Sequence, residues 1–475
     1  MKAISDLFQD LPGFPALAET AHELKRPLFA VGGAVRDLIL RREVHDLDVA
    51  TGGSLDEAAR ILSSKLGARA IPVGRFPKQV FRFVLPGFFI DLVPLEGETI
   101  ENDLSRRDLT INAMAIEIKP NQGQANIVDP RGGLSDLKNK TAKFNSEAVI
   151  LNDPLRLLRL FRFCAVLSFA PHPESLDLVK KHSQLITNAA GERIREELFK
   201  LLAVPESHET IKLMLEYGLL TALVPELKHL RTSNQNAYHH LNVLEHTFLA
   251  FHFLEKIMAA PEAYFPEFAS ELRGYLANEN RPSLLKLAIL LHDLGKPLTL
   301  SEDETGRIHF YKHEVVGADM AVQIARRLRL SKAEENYIRF IIRHHLLPFH
   351  LMTAETNRKL RPRGIYRFGR SAGPDLWGLL LHALADAMAT QGPASRDRGG
   401  IPGLVGFFDR LVREITKQRV KVPRLVTGND LMMHFGLSPS PLIGRLLSSI
   451  EEAQALGQID NKKEALGLAA KLLKR

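Results

Sequence analysis

The stretch FAVGGAVRDLILRREVHDLDVAT, near the start of the numbering, constrains the fold of this chain more than any other. It opens in a short apolar run, Leu28 to Val31, which is typical of a buried strand. Gly32 and Gly33 follow, and a helix-like segment from Ala34 to Leu40 comes directly after them. Paired glycines let a backbone approach a ligand closely, and a helix N-terminus favours phosphate, as does Arg36 in its first turn. The stretch therefore predicts a strand, a tight turn and a helix around an anionic ligand.

Asp46 and Asp48 are the second feature of this stretch. On a strand they share one face, while Leu47 and Val49 share the other. Two adjacent carboxylates repel each other unless a cation lies between them, and Mg2+ prefers oxygen ligands and bridges to substrate phosphates. Two metal ions there would activate an attacking oxygen and stabilise a leaving one. A lone Gly-Gly is usually a turn and a lone Asp-x-Asp a solvated strand end, but both together, with Arg36 between them, favour a functional site.

GGAVRD followed by DLD resembles the nucleotidyltransferase head of the class II tRNA nucleotidyltransferase and bacterial poly(A) polymerase family. That family has a third carboxylate on a later strand, and Asp91 lies in the β-like segment Phe88 to Val93. The resemblance implies that Asp46 and Asp48 bind Mg2+ and that Asp91 assists attack by a 3′-hydroxyl. From the residues alone, Asp91 is equally well explained as a strand-end acid paired with an arginine. The nucleotide-binding residues that the resemblance implies in this stretch are Gly32, Gly33 and Arg36.

The sequence RRDLTINA, residues 106–113, closely resembles a second motif of the family. An isolated RRD is usually a surface cluster, and Ser105 before it predicts a helix that begins with the motif. The resemblance implies that Arg107 contacts the nucleotide, that Asp108 contacts the ribose and that Asn112 supports them.

A helical segment with the sequence NDPLRLLRLFRF carries three arginines spaced three residues apart. Such residues lie along one face of a helix, which is usually a solvated stripe. The segment resembles the EDxxR motif of the family, which implies that Asp153 and Arg156 pair with the Watson–Crick edge of CTP or ATP. Both bases offer an exocyclic amino group to a carboxylate, and the planar guanidinium suits their acceptors. Asn152 replaces the Glu of the family, which predicts a less firmly oriented motif. The triphosphate would be held by Arg159 and Arg162.

The third quarter of the chain carries histidines and acids in the order H…HD…H…HH…D. A lone core histidine is more often structural, but this set of nitrogen and carboxylate ligands suits a first-row transition metal. The order resembles an HD-type metal phosphohydrolase domain, which implies Ni2+, Mn2+ or Co2+ and a phosphate ester as substrate. A degenerate platform for RNA is the alternative. The implied ligands are His246, His292, Asp293 and Asp386, with His313, His344 and His345 as candidates for a second metal or the phosphate.

The composition fits a protein of several domains. A length of 475 residues predicts about three domains, and a net charge of +8 with a pI near 9.4 favours a polyanionic partner. Basic clusters at Arg358 to Arg370 and Lys417 to Arg424 are candidate RNA contacts, or a solvated surface. The single cysteine, Cys164, predicts a core residue and a reducing compartment. Because neither a signal core nor an apolar span is evident, we expect a cytoplasmic protein with no membrane contact.

These patterns predict an α+β protein: a head with a mixed β-sheet, then an all-α neck, an HD domain and a helical tail that binds RNA. A Pro/Gly-rich break at Gly392 to Gly403 separates the last two. The resemblance implies addition of C and/or A from CTP and ATP to the 3′ end of tRNA. The alternatives are a poly(A) polymerase of the same family, an HD phosphohydrolase whose head only binds nucleotide, and a non-catalytic RNA-binding protein. The predicted boundaries are 1–145, 146–225, 226–400 and 401–475.

The segment from Leu92 to Ser105 bears on which nucleotides are added. Family members that build the full CCA have a flexible segment between the third carboxylate and the RRD motif, and this segment is shorter here. Members with this deletion add CC and leave the final A to a separate enzyme. The resemblance therefore favours CC addition, and the alternative is that another loop replaces the missing segment.

Overall fold

A computed structural model describes residues 4–74, 79–119, 126–232, 242–278, 280–390, 400–418 and 423–474. Its contacts divide the chain into two units, residues 1–225 and 226–475. The division into four domains stays a prediction.

The first unit combines a sheet with short helices. Its strands are β1 (Leu28–Val31), β2 (Asp46–Thr51), β3 (Ile71–Val73), β4 (Val80–Leu85), β5 (Phe88–Pro94), β6 (Ala115–Glu117), β7 (Ile127–Val128), β8 (Thr141–Ala142) and β9 (Ala170–Pro171). Its α-helices are α1 (Ile4–Gln9), α2 (Phe14–Leu24), α3 (Gly33–Ile39), α4 (Leu55–Leu66), α5 (Ile100–Arg106), α6 (Gly133–Lys138), α7 (Glu147–Asn152), α8 (Arg156–Leu167), α9 (Pro173–His182), α10 (Gly191–Leu202), α11 (His208–Glu216) and α12 (Leu219–Leu223).

The second unit is mostly helical. Its described residues include a hairpin, β10 (Leu300–Glu302) with β11 (Ile308–Phe310). Its α-helices are α13 (Val243–Ala259), α14 (Ala269–Leu276), α15 (Arg281–Leu291), α16 (Lys296–Thr299), α17 (His313–Arg327), α18 (Lys332–His344), α19 (Leu347–Thr356), α20 (Pro362–Ala372), α21 (Leu376–Ala389), α22 (Gly400–Gln418), α23 (Gly428–Phe435), α24 (Pro441–Ala455) and α25 (Lys462–Leu473). Among the described helices, none has the length and apolarity required to cross a bilayer.

A seven-stranded mixed sheet with the order β3-β4-β5-β2-β1-β6-β7 organises the first unit. The central pair, β2 and β5, is parallel, whereas the other neighbours are antiparallel. Leu47 and Val49 are 1% and 0% exposed, so the apolar face of β2 is buried as its alternation predicts. The opposite face presents Asp48, which stands level with Asp91 on β5. The predicted mixed sheet is confirmed.

The helix that Ser105 was expected to begin is placed differently. The structure has α5 ending at Arg106, and Thr99 caps its start by accepting a hydrogen bond from the Asn102 N–H at 3.3 Å. The Ser105 hydroxyl instead donates to the Asn102 carbonyl at 2.8 Å, inside the helix. Serine and threonine are both common caps, so the sequence allows either Thr99 or Ser105. The prediction chose Ser105 and was wrong, because Thr99 caps the helix. The motif therefore follows a helix end, with Arg107 in an extended conformation.

Two other local predictions differ from the structure. The neck is helical except for β9, which pairs in parallel with β8. In the predicted break, residues 391–399 lie outside the described residues, and residues 400–403 form the start of α22.

Cys164 is buried as predicted, and burial raises the pKa of its thiol to about 12.

Gly295 follows α15 and has an ordinary right-handed conformation, with a φ of −75°. A Cβ atom built there would lie 2.2 Å from the His313 carbonyl oxygen and 2.7 Å from the Gly317 nitrogen. The glycine therefore permits close backbone packing of the α15–α16 turn against α17, rather than a special turn conformation.

Gly295→Ala should destabilise the protein by about 3 kcal/mol, because the new methyl group meets backbone atoms that cannot move aside. The measurement is the free energy of unfolding in urea. Gly274→Ala is the matched control, since no described atom lies within 4 Å of a Cβ built there. That helical position should gain about 0.5–1 kcal/mol. Equal behaviour of the two variants would contradict the packing argument.

Candidate nucleotide and metal sites

Three carboxylates lie on neighbouring strands of the head sheet. Asp48 on β2 is level with Asp91 on β5, and Asp46 is two residues before Asp48. Burial raises the pKa of Asp48 to about 6, and Asp91 and Asp46 add to this increase while Arg107 opposes it. Clustered carboxylates that destabilise one another's charge are the ligand set of a hard divalent cation, so these residues fit Mg2+.

Asp91 also has an arginine partner. The Arg82 guanidinium donates to both oxygens of Asp91, at 2.8 and 2.7 Å. Asp91 therefore lies level with Asp48 and also forms an ion pair, and its part in catalysis stays a prediction. The pairing with Arg82 orients the Asp91 carboxylate.

Next to Asp48 lies a cavity of about 450 Å³ that collects the residues of the three motifs. All ten residues that the resemblance assigns to nucleotide binding line it, and Phe163 and Arg193 are additional members. The lining is Gly32, Gly33, Arg36, Asp48, Arg107, Asp108, Asn112, Asp153, Arg156, Arg159, Arg162, Phe163 and Arg193. A concave site with this many guanidinium groups suits a polyphosphate.

Gly32 is necessary where the strand turns into the cavity. Its φ of 75° is left-handed, and a Cβ built there would lie 2.8 Å from Nη1 of Arg107. Any other residue would both strain the turn and displace the arginine.

Asp108 is the centre of a buried polar network. Its Oδ1 accepts from the Leu109 N–H at 2.8 Å and from the Asn112 amide at 3.1 Å, while Oδ2 accepts from Nε of Arg159 at 2.7 Å. Burial raises the pKa of Asp108, but Arg159 and these hydrogen bonds outweigh it, so the net pKa is lowered. Both oxygens have protein partners here, so a ribose hydroxyl would have to share or replace one of them.

The network continues from Asn112 to the first motif. Asn112 accepts from Nη1 of Arg36 at 2.6 Å, and Arg36 binds both oxygens of Asp37 at 3.0 and 2.7 Å. The guanidinium is thus oriented by two partners before any ligand arrives.

Phe163 and Glu197 hold the other arginines. The ring of Phe163 lies under Arg36, Arg159 and Arg162, with centroid distances of 5.0, 5.5 and 3.9 Å. Glu197 on α10 forms ion pairs with Arg162 at 2.5 Å and with Arg159 at 3.6 Å. These contacts fix the spacing of the arginines along α8.

Asp153 pairs with an arginine to which the sequence analysis assigned no role. Arg193 on α10 donates to both Asp153 oxygens, at 3.3 and 2.8 Å. Burial raises the pKa of Asp153, but the hydrogen bonds and charge of Arg193 outweigh this effect. The net pKa is therefore lowered, and the carboxyl is held as an anion. Arg156 donates to the Arg106 carbonyl at 2.7 Å.

The second unit contains a buried group of histidines and acids, which we call the histidine cluster: His246, His292, Asp293, His313, His345, His382 and Asp386. Two triplets within it have the spacing of metal ligands: His246, His292 and Asp293, and also Asp293, His313 and His345.

Three of these histidines share one local arrangement. Nδ1 of His292, His313 and His345 lies 2.7–2.8 Å from the backbone carbonyl three residues earlier. An N–H at Nδ1 donates there and leaves Nε2 as a lone-pair donor, which is the usual arrangement of a metal-binding histidine.

The distances between donor atoms test whether these residues fit a metal. Nε2 of His313 and Nε2 of His345 lie 3.4 Å apart. Two nitrogens bound at about 2.0–2.1 Å to one tetrahedral metal are separated by about 3.4 Å. Asp293 contacts Nε2 of His292 at 3.1 Å and of His313 at 3.6 Å, and His246 contacts Asp386 at 2.8 Å. The cluster therefore fits divalent transition metals.

Two relatives of known activity identify the family of this chain. An A-adding tRNA nucleotidyltransferase of Deinococcus radiodurans is 33% identical over 92% of this chain and 93% of its own length. A CC-adding tRNA nucleotidyltransferase of Thermus thermophilus is 33% identical over 92% of each chain. The chain belongs to the class II tRNA nucleotidyltransferase family.

Family models and solved structures agree with this assignment. The poly(A) polymerase head domain matches residues 28–82 and 90–143 of the nucleotidyltransferase, and the HD domain matches 243–387. A CCA-adding enzyme of Thermotoga maritima, solved in complex with tRNA, superposes with a TM-score of 0.66 over 99% of both chains at 20% identity. A CCA-adding enzyme in complex with ATP gives a TM-score of 0.68 over 100% of this chain and 98% of its own. These similarities show a nucleotidyltransferase of known fold that depends on divalent metal.

His344 and His382 differ from what the sequence suggested for this nucleotidyltransferase. His344 is half-buried, unlike the buried members of the histidine cluster, and its ring packs on Phe340 at 4.8 Å. Adjacent helical residues point about 100° apart, so His344 and His345 do not face the same site. His382 was missed, although it lies four residues before Asp386 and hence on the same face of α21.

Glu197→Ala should destabilise the nucleotidyltransferase by about 3 kcal/mol, because it leaves Arg159 and Arg162 without their shared acid. Glu197 is 6% exposed, and its exposed neighbour Glu196 is the matched control, which should change stability by less than about 0.5 kcal/mol. Urea unfolding of both variants is the measurement. A change at Glu197 no larger than that at Glu196 would contradict the role of this ion-pair group.

Proposed function

We propose that this tRNA nucleotidyltransferase adds CMP from CTP to the 3′ end of tRNA and leaves the terminal A to another enzyme. Overall similarity does not decide between the two nucleotides, since relatives named A-adding and CC-adding are both 33% identical. The observation that supports CC addition is the connection between β5 and α5, which is short and is held by hydrogen bonds along its length.

The connection has little free length. β5 continues to Pro94, and the Leu95 N–H donates to the Thr51 carbonyl at 2.9 Å, which extends the sheet contact by one residue. α5 then begins at Ile100, with Thr99 as its cap. Only residues 96–98 remain between these two attachments.

Asp103 closes the connection from the side of α5. Its Oδ1 accepts from the Glu96 N–H at 3.0 Å, and its Oδ2 accepts from Nε of Arg107 at 2.9 Å. Asn145 also donates to the carbonyls of Leu104 and Arg107. A segment attached at both ends and across its middle does not provide a lever that reshapes the base pocket.

The reaction requires positioning and charge neutralisation. In this proposal Asp46 and Asp48 hold Mg2+, which supplies charge stabilisation at the phosphates. Asp91 assists the 3′-hydroxyl, whose oxygen forms a bond to the α-phosphorus while pyrophosphate leaves. Asp153 and Arg156 contact the cytosine edge. The triphosphate and ribose contacts are assigned to Gly32, Gly33, Arg36, Arg107, Asp108, Asn112, Arg159 and Arg162.

The decisive test offers the protein tRNAs that end before the first C, after C, after CC and after CCA, each with one labelled nucleotide. Transfer of CMP to the first two, and no AMP on the tRNA that ends in CC, is the expected result. Efficient AMP transfer onto that tRNA would overturn CC-only addition. ATP-dependent tailing of unstructured RNA would identify a poly(A) polymerase instead. Asp46→Ala with Asp48→Ala should abolish every transfer.

The histidine cluster supports a second activity, metal-dependent hydrolysis of a phosphate ester with Ni2+, Mn2+ or Co2+. The supporting observation is the pair of buried triplets that share Asp293. Lys296, 2.7 Å from Asp293, brings a cation to the same place and suits an anionic substrate. The substrate class that we propose is a 2′,3′-cyclic or terminal phosphate on RNA.

His292→Ala with Asp293→Ala should remove phosphatase activity and leave nucleotide addition intact. The measurement is hydrolysis of a 2′,3′-cyclic nucleotide by metal-loaded protein, with CMP transfer to tRNA assayed in parallel as the control for folding. Absence of hydrolysis of any such ester by the wild-type protein would show that the domain is structural.

A further inference from the structure

His382 is a buried histidine without an evident structural task. It is 0% exposed, and neither ring nitrogen forms a hydrogen bond with any residue that the structure describes. A buried polar group without a partner is unfavourable, so its presence in the core requires an explanation. A phenylalanine or leucine would fill the same space at a lower cost.

The ring of His382 is surrounded by other histidines. Its centroid lies 5.2 Å from that of His292 and 5.6 Å from that of His345, and His292 and His345 are themselves 5.3 Å apart. Imidazoles that share one tetrahedral metal at about 2.0–2.1 Å have ring centroids about 5.3 Å apart. The spacing around His382 therefore fits a ligand sphere.

The direction of its neighbours supports the same conclusion. His292 and His345 donate from Nδ1 to backbone carbonyls, so their Nε2 atoms point away from their own helices and into the cluster. Neither nitrogen of His382 has a hydrogen-bond partner among the described residues, so both are available as metal donors.

The number of donors on each side indicates where His382 belongs. Asp386 joins the triplet of His246, His292 and Asp293, which then has four donors. The triplet of Asp293, His313 and His345 has three. The ring of His382 contacts one histidine of each triplet, His292 and His345, and only the triplet with His345 lacks a fourth donor among the described residues. A tetrahedral metal takes four ligands.

We propose that His382 is a further metal ligand of the histidine cluster, which completes the set formed by Asp293, His313 and His345 for a divalent transition metal. This inference depends on the proposed metal centre, but not on which ester the centre hydrolyses. His382 belongs to α21 together with Asp386, so one helix would contribute a ligand to each metal.

The test titrates Co2+ alone into the metal-free full-length protein and its His382→Phe variant. Visible absorption of bound Co2+ reports ligand type and geometry, and metal content after gel filtration reports stoichiometry. We expect two Co2+ ions per wild-type chain. In the variant, the affinity of one site should fall at least about tenfold and its absorption bands should shift. The metal-free variant should melt no lower than the wild type, since an unpaired polar ring is replaced by an apolar one.

His344→Phe is the matched control, because it makes the same change next to His345 but outside the cluster, and it should bind Co2+ as the wild type does. His382→Asn serves if the phenylalanine variant does not fold. Wild-type affinity and absorption in both His382 variants would overturn the role of His382 and leave the metal centre intact. Failure of the wild-type protein to bind Co2+ would overturn the metal centre itself.

Discussion

The nucleotide site depends on one physical condition, that most of its guanidinium groups are paired with a carboxylate before a ligand arrives. Six arginines line one cavity, and their mutual repulsion would prevent the cavity from forming if they were unpaired. Five of them have a carboxylate partner within 3 Å: Arg36 with Asp37, Arg107 with Asp103, Arg159 with Asp108, Arg162 with Glu197 and Arg193 with Asp153. The acids also fix the direction of each guanidinium, so a triphosphate meets oriented donors that have already lost most of their side-chain freedom.

In the histidine cluster the candidate ligands are also oriented by other residues, but here the expected ligand is a cation rather than an anion. Its candidate ligands are buried nitrogens and a few carboxylates, and a bound cation would complete the partners that the protein itself supplies. Backbone carbonyls three residues earlier fix the tautomer of His292, His313 and His345, so each helix or turn end determines where one Nε2 points. In both sites the groups that contact a ligand are oriented by a second set of residues, and this second set is local in the histidine cluster but comes from distant elements in the head.

That difference explains what the sequence could and could not predict. Residues in contiguous motifs, such as GGAVRD and RRDLTINA, were identified because short-range spacing places them on one turn, and the structure brings all ten into one cavity. Arg193 and Glu197 were assigned no role because their partners, Asp153 and Arg162, lie 35 or more residues away in sequence. Ser105 was misplaced because a local rule has two solutions. His382 had a usable signal, its spacing from Asp386, whereas His344 was included only because it adjoins His345.

The base-reading face and the connection between β5 and α5 bear on nucleotide choice from independent directions. Asp153 is fixed by two hydrogen bonds from Arg193 on α10, so its position follows the packing of α8 against α10. To accept adenine after cytosine, the pocket must present its donors and acceptors at different places on a larger base. Such a change requires an element that moves between two stable positions. The first unit instead holds both features in one position. Arg193 binds both oxygens of Asp153, and Asp103 fixes the connection between β5 and α5 through Glu96 and Arg107. A rigid template of this kind favours one base, which is the physical basis of the proposed CC addition.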